Sequence, residues 1–502
     1  MEEVYSDIVI VGAGIVGSYT AYAALKKGLK VAIIEIGSYD SNKIICCEPG
    51  LVCSKRYHRS SFEARNHILG GNSTFWGGGL IRPPSNLHEH CCGTKDLKSD
   101  LVSKFIGDLD FDMLDKNLGL NTNSKRSIDK NFSNEKQKVI NSKIHILNGK
   151  NRDIAKKWID YYKKHKNCNI YSSSKIYNFN SLEDEKKNLY CKSIVIRKEE
   201  SLIKINSKNF LICSGIIDSI HIIKKFRKNI SSKKELKNIG THLHDHLSLE
   251  IADIKIKNNE KLTKLIKPKF FKNKSIRNHL EFNVNSGEIK GFFHFGFNFT
   301  EKSPYKEIKN WLKKRQQLTN KLGFIKFFLN NKEILIKILK IFIYKKLKNE
   351  LLILDTLNAT LTMDFESFPN NKNRLTFKDE EVILRWDINK EDQERFLKLL
   401  KYARSIIQRI NSISELEIKP RFDIKSEKEA LRYFNSHVID AFHLGGGLVF
   451  NGKSLVNKDC LINGSKNIYV ISTSILTRAG HVNPTYLLLA IADKFIRNIT
   501  KK

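Results

Sequence analysis

The chain has 502 residues, with 88 Lys and Arg against 53 Asp and Glu, a formal charge of +35. A hydrophobic fraction of 41% is ample for a large core and excludes a generally disordered or fibrous protein. No stretch resembles a recognition helix, a zinc finger or an aromatic-basic RNA platform. The charge therefore reads as solvated lysines spread along the chain, as in "KKELKNIG", and no specific nucleic-acid partner is expected.

"MEEVYSDIVIVGAG" opens acidic and runs straight into an apolar strand, without the basic region and small-residue cleavage site of a secretory signal. No apolar stretch is long and uncharged enough to span a bilayer. Nine cysteines are an odd number, and the adjacent pairs Cys46-Cys47 and Cys91-Cys92 have neither metal-site nor redox spacing. Reduced thiols and a cytoplasmic location are expected, without a metal site.

The first thirty-odd residues form a complete βαβ pattern. "DIVIV" reads as a buried strand, "SYTAYAALKKG" as a helix ending at Gly28, and "KVAIIE" as a second strand finishing at Glu35. Gly12, Gly14 and Gly17 form G-x-G-x-x-G between the first strand and the helix. Each glycine has its own physical reason. Gly12 makes the tight turn, Gly14 admits a pyrophosphate to the backbone, and Gly17 lets helix and strand pack closely. The helix N-terminus offers amides and partial positive charge. Glu35 is placed to accept hydrogen bonds from an adenosine ribose. The pattern fits NAD or FAD.

"RNHILGGNSTFWGGGLIRPP", residues 65 to 84, is too glycine-rich for a helix or a central strand. Gly70, Gly71, Gly77, Gly78 and Gly79 let backbone lie against something large and flat. Asn72, Ser73 and Thr74 supply polar groups, and Trp76 can pack beside an aromatic ring. A flavin meets these demands; so does a plain glycine-rich surface loop.

From here the chain resembles the glucose–methanol–choline (GMC) family of flavin-dependent oxidoreductases, in order and almost end to end. The landmarks are "VGAGIVGS" with Glu35, "GGNSTFWGGGLIRPP", "NFLICSGIIDSIHIIKK", "NIGTHLHDHLSLE" with Asp245-His246, "ESFPNNKNRLTF", "FHLGGG", and "NIYVISTSILTRAGHVNPTYLLLAIADKF". "TFW" is closest to the sugar-oxidising branch, where the matching position is often a histidine linked covalently to the flavin. Phe75 stands there, so the resemblance implies FAD bound non-covalently. It also implies that His443 of "FHLGGG" faces the flavin N5 and that Asn483 of "HVNPT" stands beside it. His443 would take the hydroxyl proton and Asn483 would donate to the substrate oxygen. Ser472 in "VISTS" occupies a flavin-side position where many members have aspartate. "GGL" after the histidine replaces the usual threonine.

Blander roles exist for the same residues. His443 also reads, less favoured, as a packed core histidine, and Asn483 before Pro484 as an ordinary N-cap, a role compatible with the other. His481 reads as supporting the site, and His246 as an alternative base.

The expected fold class is α/β, or α+β overall: a discontinuous Rossmann-like FAD-binding domain (1–90, 165–250, 436–502) and an inserted substrate domain of antiparallel sheet and helices (91–164, 251–435). In the latter, "KGFFHFGFNF" alternates as a strand rich in aromatics, suited to core packing or to stacking on sugar rings. Within 320–350, "KLGFIKFFLNNKEILIKILKIFIYKKLK" carries a polar stripe of Lys326, Asn330, Glu333, Lys337 and Lys340. Opposite lies an apolar arc of Phe324, Phe328, Leu335, Leu339 and Phe342. Such a helix is buried in the substrate domain or lies peripherally on the inner face of a membrane.

The functional expectation is FAD-dependent oxidation of a CH–OH group of a sugar or sugar-like alcohol to a carbonyl. Two alternatives stand beside it: the same chemistry on a lipid, sterol or lipid-linked sugar at a membrane, and a non-catalytic flavin-fold protein that binds membranes or polyanions. Oxygen, a quinone and a protein all remain open as electron acceptor.

Overall fold

The computed structural model describes residues 1–38, 45–46, 51–83, 109–121, 127–128, 139–148, 151–185, 188–227, 233–257, 267–272, 274–284, 289–298, 332–352, 356–378, 381–413, 418–450, 453–480 and 482–501. Two sheets organise them, and the cavity between carries the site.

The first sheet is the βαβ pattern made real. β1 (Glu2–Val11) leads into α1 (Ile15–Lys26), which returns to β2 (Val31–Ile34). β3 (Cys168–Tyr171), β4 (Ser201–Ile212) and β5 (Ile468–Val470) complete a parallel layer in the order β5-β4-β1-β2-β3. Val11 lies beside both Ile34 and Ile212, and Ile212 lies beside Val470, so four strands end level. Ligands of open α/β sheets bind at that carboxyl edge. β1 begins at Glu2, earlier than "DIVIV" predicts, because residues 2–6 pair with β4. Only Ile8–Val11 are buried without interruption, the mark of a strand covered on both faces. An antiparallel hairpin, Ser174–Glu183 with Leu189–Lys198, extends the sheet over the first half of β4.

Helices of distant origin cover this sheet. α1 meets helix Ile154–Tyr162, with the Tyr19 and Trp158 rings edge-to-face at 5.1 Å. It also meets helix Pro484–Ile499, where the Tyr19 hydroxyl donates to Asp493 at 2.7 Å. Helix Phe111–Leu118 stacks Phe111 on Tyr486 of that same helix, at 5.7 Å. Helices Phe111–Leu118 and Ile154–Tyr162 both fall within residues 91–164. Both helices are short and amphipathic, and only tertiary packing tells their apolar faces which neighbour to choose.

The second sheet is antiparallel. Its main strands run in the order His246–Lys257, Thr356–Glu366, Ile289–Asn298, Lys274–Val284, Val139–Leu147 and Gly79–Leu80. The register places Ser248 beside Asp364, Asp364 beside Phe292, and Arg277 beside Ile144. One face is apolar and buried: Leu247, Leu249, Leu280, Phe282, Phe293, Phe295, Leu361, Met363 and Phe365. The Phe282 ring on that face meets Tyr402 of the long helix Lys390–Ile413 at 6.1 Å. The other face carries polar residues and looks into the cavity.

Helix Lys332–Lys348 has no buried residue. Ile336, Leu339, Phe342, Ile343 and Leu347 are exposed, at i, i+3, i+6, i+7 and i+11. The burial expected for Leu339 and Phe342 is therefore not met among the described residues. Tyr344 and Lys345, on the inner side, touch Lys267 and Phe270 through cation–π contacts. Lys326, Asn330, Phe324 and Phe328 lie outside the described residues. Among the described residues no helix is long and apolar enough to cross a membrane.

Candidate active site

A cavity of about 1420 Å³ runs from the glycine turn after β1 to the polar face of the second sheet. It is lined by Gly12, Gly14, Glu35, Gly71, Asn72, Ser73, Trp76, His443, Ser472 and Asn483. Residues more than 400 positions apart in the chain are thus brought to one space. Gly17 is not in the lining. It packs where a Cβ would stand 1.9 Å from the Gly12 carbonyl, so helix and strand touch there. Thr74 closes the 3₁₀ turn Gly71–Thr74, and its side chain lies outside the described residues.

The glycine turn is shaped for a ligand. Gly12 has φ +96°, and a Cβ there would meet the 213–214 backbone at 2.8 Å. A Cβ on Gly14 would meet nothing within 4 Å, so the helix N-terminus opens on free space. The second glycine cluster sits against the first: the Gly70 amide donates to Ala13 O at 2.8 Å, and a Cβ on Gly71 would stand 3.1 Å from Gly14 Cα. Glu35 is buried, and its two oxygens accept from the Ala13 and Gly37 amides at 2.7 and 2.8 Å. Burial raises its pKa, and those two amides oppose the rise. This carboxylate therefore orders the turn itself, and its remaining lone pairs are what a ribose would meet.

Three polar side chains of the second cluster serve the protein. Asn72 Oδ1 accepts from the Asn66 amide and its Nδ2 donates to Ala64 O. Ser73 donates to Gly70 O at 2.7 Å. Trp76 Nε1 donates to Arg152 O at 2.6 Å. They pin the loop, which leaves its backbone to face the cavity. Phe75 is 55% exposed and lines the same space. Ser472 bonds Ser474, side chain to side chain, at 2.5 Å.

At the far end, His443 follows Phe442, a non-glycine residue at φ +66°, in a conformation that functional sites tend to hold. The three glycines behind it make room for another ring. A Cβ on Gly445 would stand 2.5 Å from the His244 imidazole, and one on Gly446, at φ +88°, 2.4 Å from the His242 carbonyl. "GGG" thus pairs as a strand with Thr241–His244, which explains the departure from the family's threonine.

His443 Nδ1 lies 2.8 Å from His246 Nδ1, with the rings edge-to-face at 4.8 Å. His246 Nε2 lies 2.7 Å from Gly480 O, which can only accept. A neutral His246 therefore carries its proton on Nε2 and accepts at Nδ1. His443 must then donate from Nδ1, which leaves its Nε2 as a bare lone pair. Burial, and next the neighbouring His246, lower the pKa of His443 to about 3, so the imidazole is neutral over the ordinary pH range. Asp245 Oδ1 accepts from the backbone amides of both His246 and His443, at 2.6 and 2.9 Å. Burial raises the Asp245 pKa, and His58, 3.2 Å from Oδ2, opposes it.

Asn483 occupies the N-cap of helix Pro484–Ile499, but its side chain makes no capping bond. Nδ2 donates instead to Gly79 O at 3.3 Å. The ordinary-cap reading is thereby corrected: backbone geometry and Pro484 start the helix, and the amide turns to the cavity wall. His481 lies outside the described residues.

Sequence reasoning missed several residues. His58 and Asp440 are two, and with Asp245 they place ligand-type atoms within 4.8 Å of one another. Both Asp440 oxygens accept backbone amides, from Arg59 and Ser60, and His58 Nδ1 meets the Ser60 and Ser61 hydroxyls. That engagement makes the group a hydrogen-bonded support behind Asp245. The cavity wall of the second sheet was also missed: Arg277, His279, Phe292, His294 and Asp364 all line it. The signal was present in the alternation of "SIRNHLEF" and "TLTMDF", which puts Arg277, His279, Thr362 and Asp364 on one face of strands whose other face is apolar.

A two-part fold of this kind sets a dinucleotide-type turn facing a histidine across a long cavity. Residues 369–492, which carry both His443 and Asn483, match the family model of the GMC oxidoreductases, and the family resemblance carried by the sequence landmarks stands. Those oxidoreductases are FAD-dependent. Over its whole length the chain shares its fold with solved members. Pyridoxine 4-oxidase from Mesorbium loti is 14% identical, with 98% of both chains covered and a TM-score of 0.55. Formate oxidase is 12% identical, with 100% of this chain and 99% of the other covered, at 0.52, and a variant of the Aspergillus oryzae RIB40 enzyme superposes at 0.55. No curated protein matches the chain in sequence.

Proposed function

We propose that this protein oxidises a CH–OH group of a sugar-like alcohol to a carbonyl, with FAD held non-covalently. The single observation that carries the proposal is the His443–His246–Gly480 chain, which leaves His443 Nε2 as the proton acceptor inside the cavity. The residues fit FAD: the open space at Gly14, the loop laid against it and Glu35 match the nucleotide half, and the length of the cavity reaches His443. When bound, FAD supplies the hydride acceptor.

The chain's own groups do the rest. His443 Nε2 takes the hydroxyl proton, and as it becomes cationic its Nδ1–H keeps donating to His246. Asp245 holds both amides so that neither ring drifts from the other. Asn483 holds the alkoxide side of the substrate through its amide. Phe75, exposed on the cavity, offers no atom for a covalent flavin bond. Two results would sink the proposal: purified protein without flavin, or His443→Ala retaining full anaerobic flavin reduction by alcohols.

A second reading is favoured by the outward apolar row on Lys332–Lys348. Five exposed apolar side chains share that helix with Lys332, Lys337, Lys340, Lys345, Lys346 and Lys348. Such a helix suits an anionic bilayer surface, and with it a lipid-borne substrate. Co-sedimentation with phosphatidylserine vesicles, abolished by Lys337→Glu with Lys340→Glu, supports it; equal recovery with neutral vesicles rejects it.

A further inference from the structure

The wall of the cavity opposite the glycine turn holds a second polar group, whose charge reaches His443 but which makes no hydrogen bond to it. Asp364 lies next to Phe292 and Ser248 in the sheet, with a buried carboxylate. Its Oδ2 sits 3.1 Å from His294 Nε2. Ser248 also stabilises the carboxylate, but Oδ1 is buried and meets no donor in hydrogen-bond geometry, and neither does Nδ1 of His279, two strands further on. Both residues line the cavity. The rings connect this pair to the partner of the base: His279 stacks on Phe292 at 4.7 Å, and Phe292 meets His246 edge-on at 6.4 Å.

Leaving a buried acceptor without a donor is costly, so such atoms are rare unless something fills them. The acceptor here is a carboxylate oxygen and the neighbouring ring nitrogen can take either role. Arg277 lines the same wall, and its charge opposes that of Asp364 at His279, which disfavours a cation there. The best-matched occupant is neutral and rich in O–H donors, with an apolar side to lie on Phe292.

We infer that Asp364, with His279 on the same cavity wall, binds a second hydroxyl of the substrate, one that is not oxidised, and so selects polyhydroxylated alcohols over simple ones. Asp364 Oδ1 accepts from that hydroxyl, and His294 holds the carboxylate in place from the other side. The inference rests on the proposed function and names its substrate class.

The test compares a sugar alcohol, a mono-alcohol of equal chain length and an amino alcohol, each reducing the FAD-loaded protein without oxygen. The unaltered protein should favour the sugar alcohol. Asp364→Asn should raise KM for the sugar alcohol by about ten- to a hundredfold, the range of a hydrogen bond to a charged group. The preference over the mono-alcohol should collapse with it. Should Asp364→Asn fail to hold flavin, His279→Phe reads the same loss of preference through the other unpartnered atom. An unchanged preference in the folded variant overturns the inference and leaves the proposed function standing. A lost preference for the amino alcohol alone overturns it in favour of a cation site. Flavin that no alcohol reduces overturns the proposed function and this inference with it.

Discussion

Replacing His246 with leucine removes the acceptor that sets the tautomer of His443. In the intact pair His443 Nδ1–H is bonded at 2.8 Å and Nε2 is left bare. With leucine, an Nδ1–H would be buried without an acceptor, at a cost of about 1–3 kcal/mol. That cost pushes the proton to Nε2, where it blocks the base. Since 1.4 kcal/mol is about tenfold, the reactive tautomer should fall by roughly five- to 150-fold. Anaerobic stopped-flow reduction of the flavin reads this directly, as a lower limiting rate with a smaller change in KM. His246→Asn restores an acceptor close to the position of Nδ1 and should recover most of the rate. His246 is also, after burial, what lowers the pKa of His443. The acid limb of the leucine variant's rate profile should therefore move to higher pH. Equal rates in the leucine and asparagine variants, or no loss in either, would refute the tautomer argument.

Further outcomes follow from the same geometry. Gly14→Asp places a negative group in open space at the glycine turn, so the protein should melt normally by circular dichroism yet be purified without flavin absorbance. Gly446→Ala should destabilise by about 2 kcal/mol or more, from its φ of +88° and the 2.4 Å approach to the His242 carbonyl, read as a lowered denaturant midpoint. Three buried histidines and the half-buried His443 have pKa values lowered chiefly by desolvation: His145 and His244 to about 4, His279 and His443 to about 3. Unfolded histidine titrates near 6.5, so below that pH the unfolded chain binds protons that the folded one refuses. Stability should be full above pH 6.5 and decline steadily down to about pH 3–4; a thermal midpoint unchanged between pH 7 and 4.5 would contradict this.

Much of the nucleotide half was legible in one dimension. The strand, the glycine turn, the helix and Glu35 follow one another within 35 residues, and each is dictated by local chemistry: a buried apolar run, a turn only glycine can make, an acid at the strand's end. His443 and Asn483 were legible by landmark order, and the structure brings both to the cavity that those glycines open. What the sequence could not state was how these pieces are held. That Glu35 clamps the turn, that Asn72 and Ser73 pin their own loop, and that Asn483 turns from its helix to Gly79 are choices between competing hydrogen-bond partners. Only proximity in the folded chain settles such choices. The same holds for the tautomer of His443. It depends on a carbonyl at Gly480 and a ring at His246, nearly 200 residues away, whose donors and acceptors acquire an order only once the two sheets face each other.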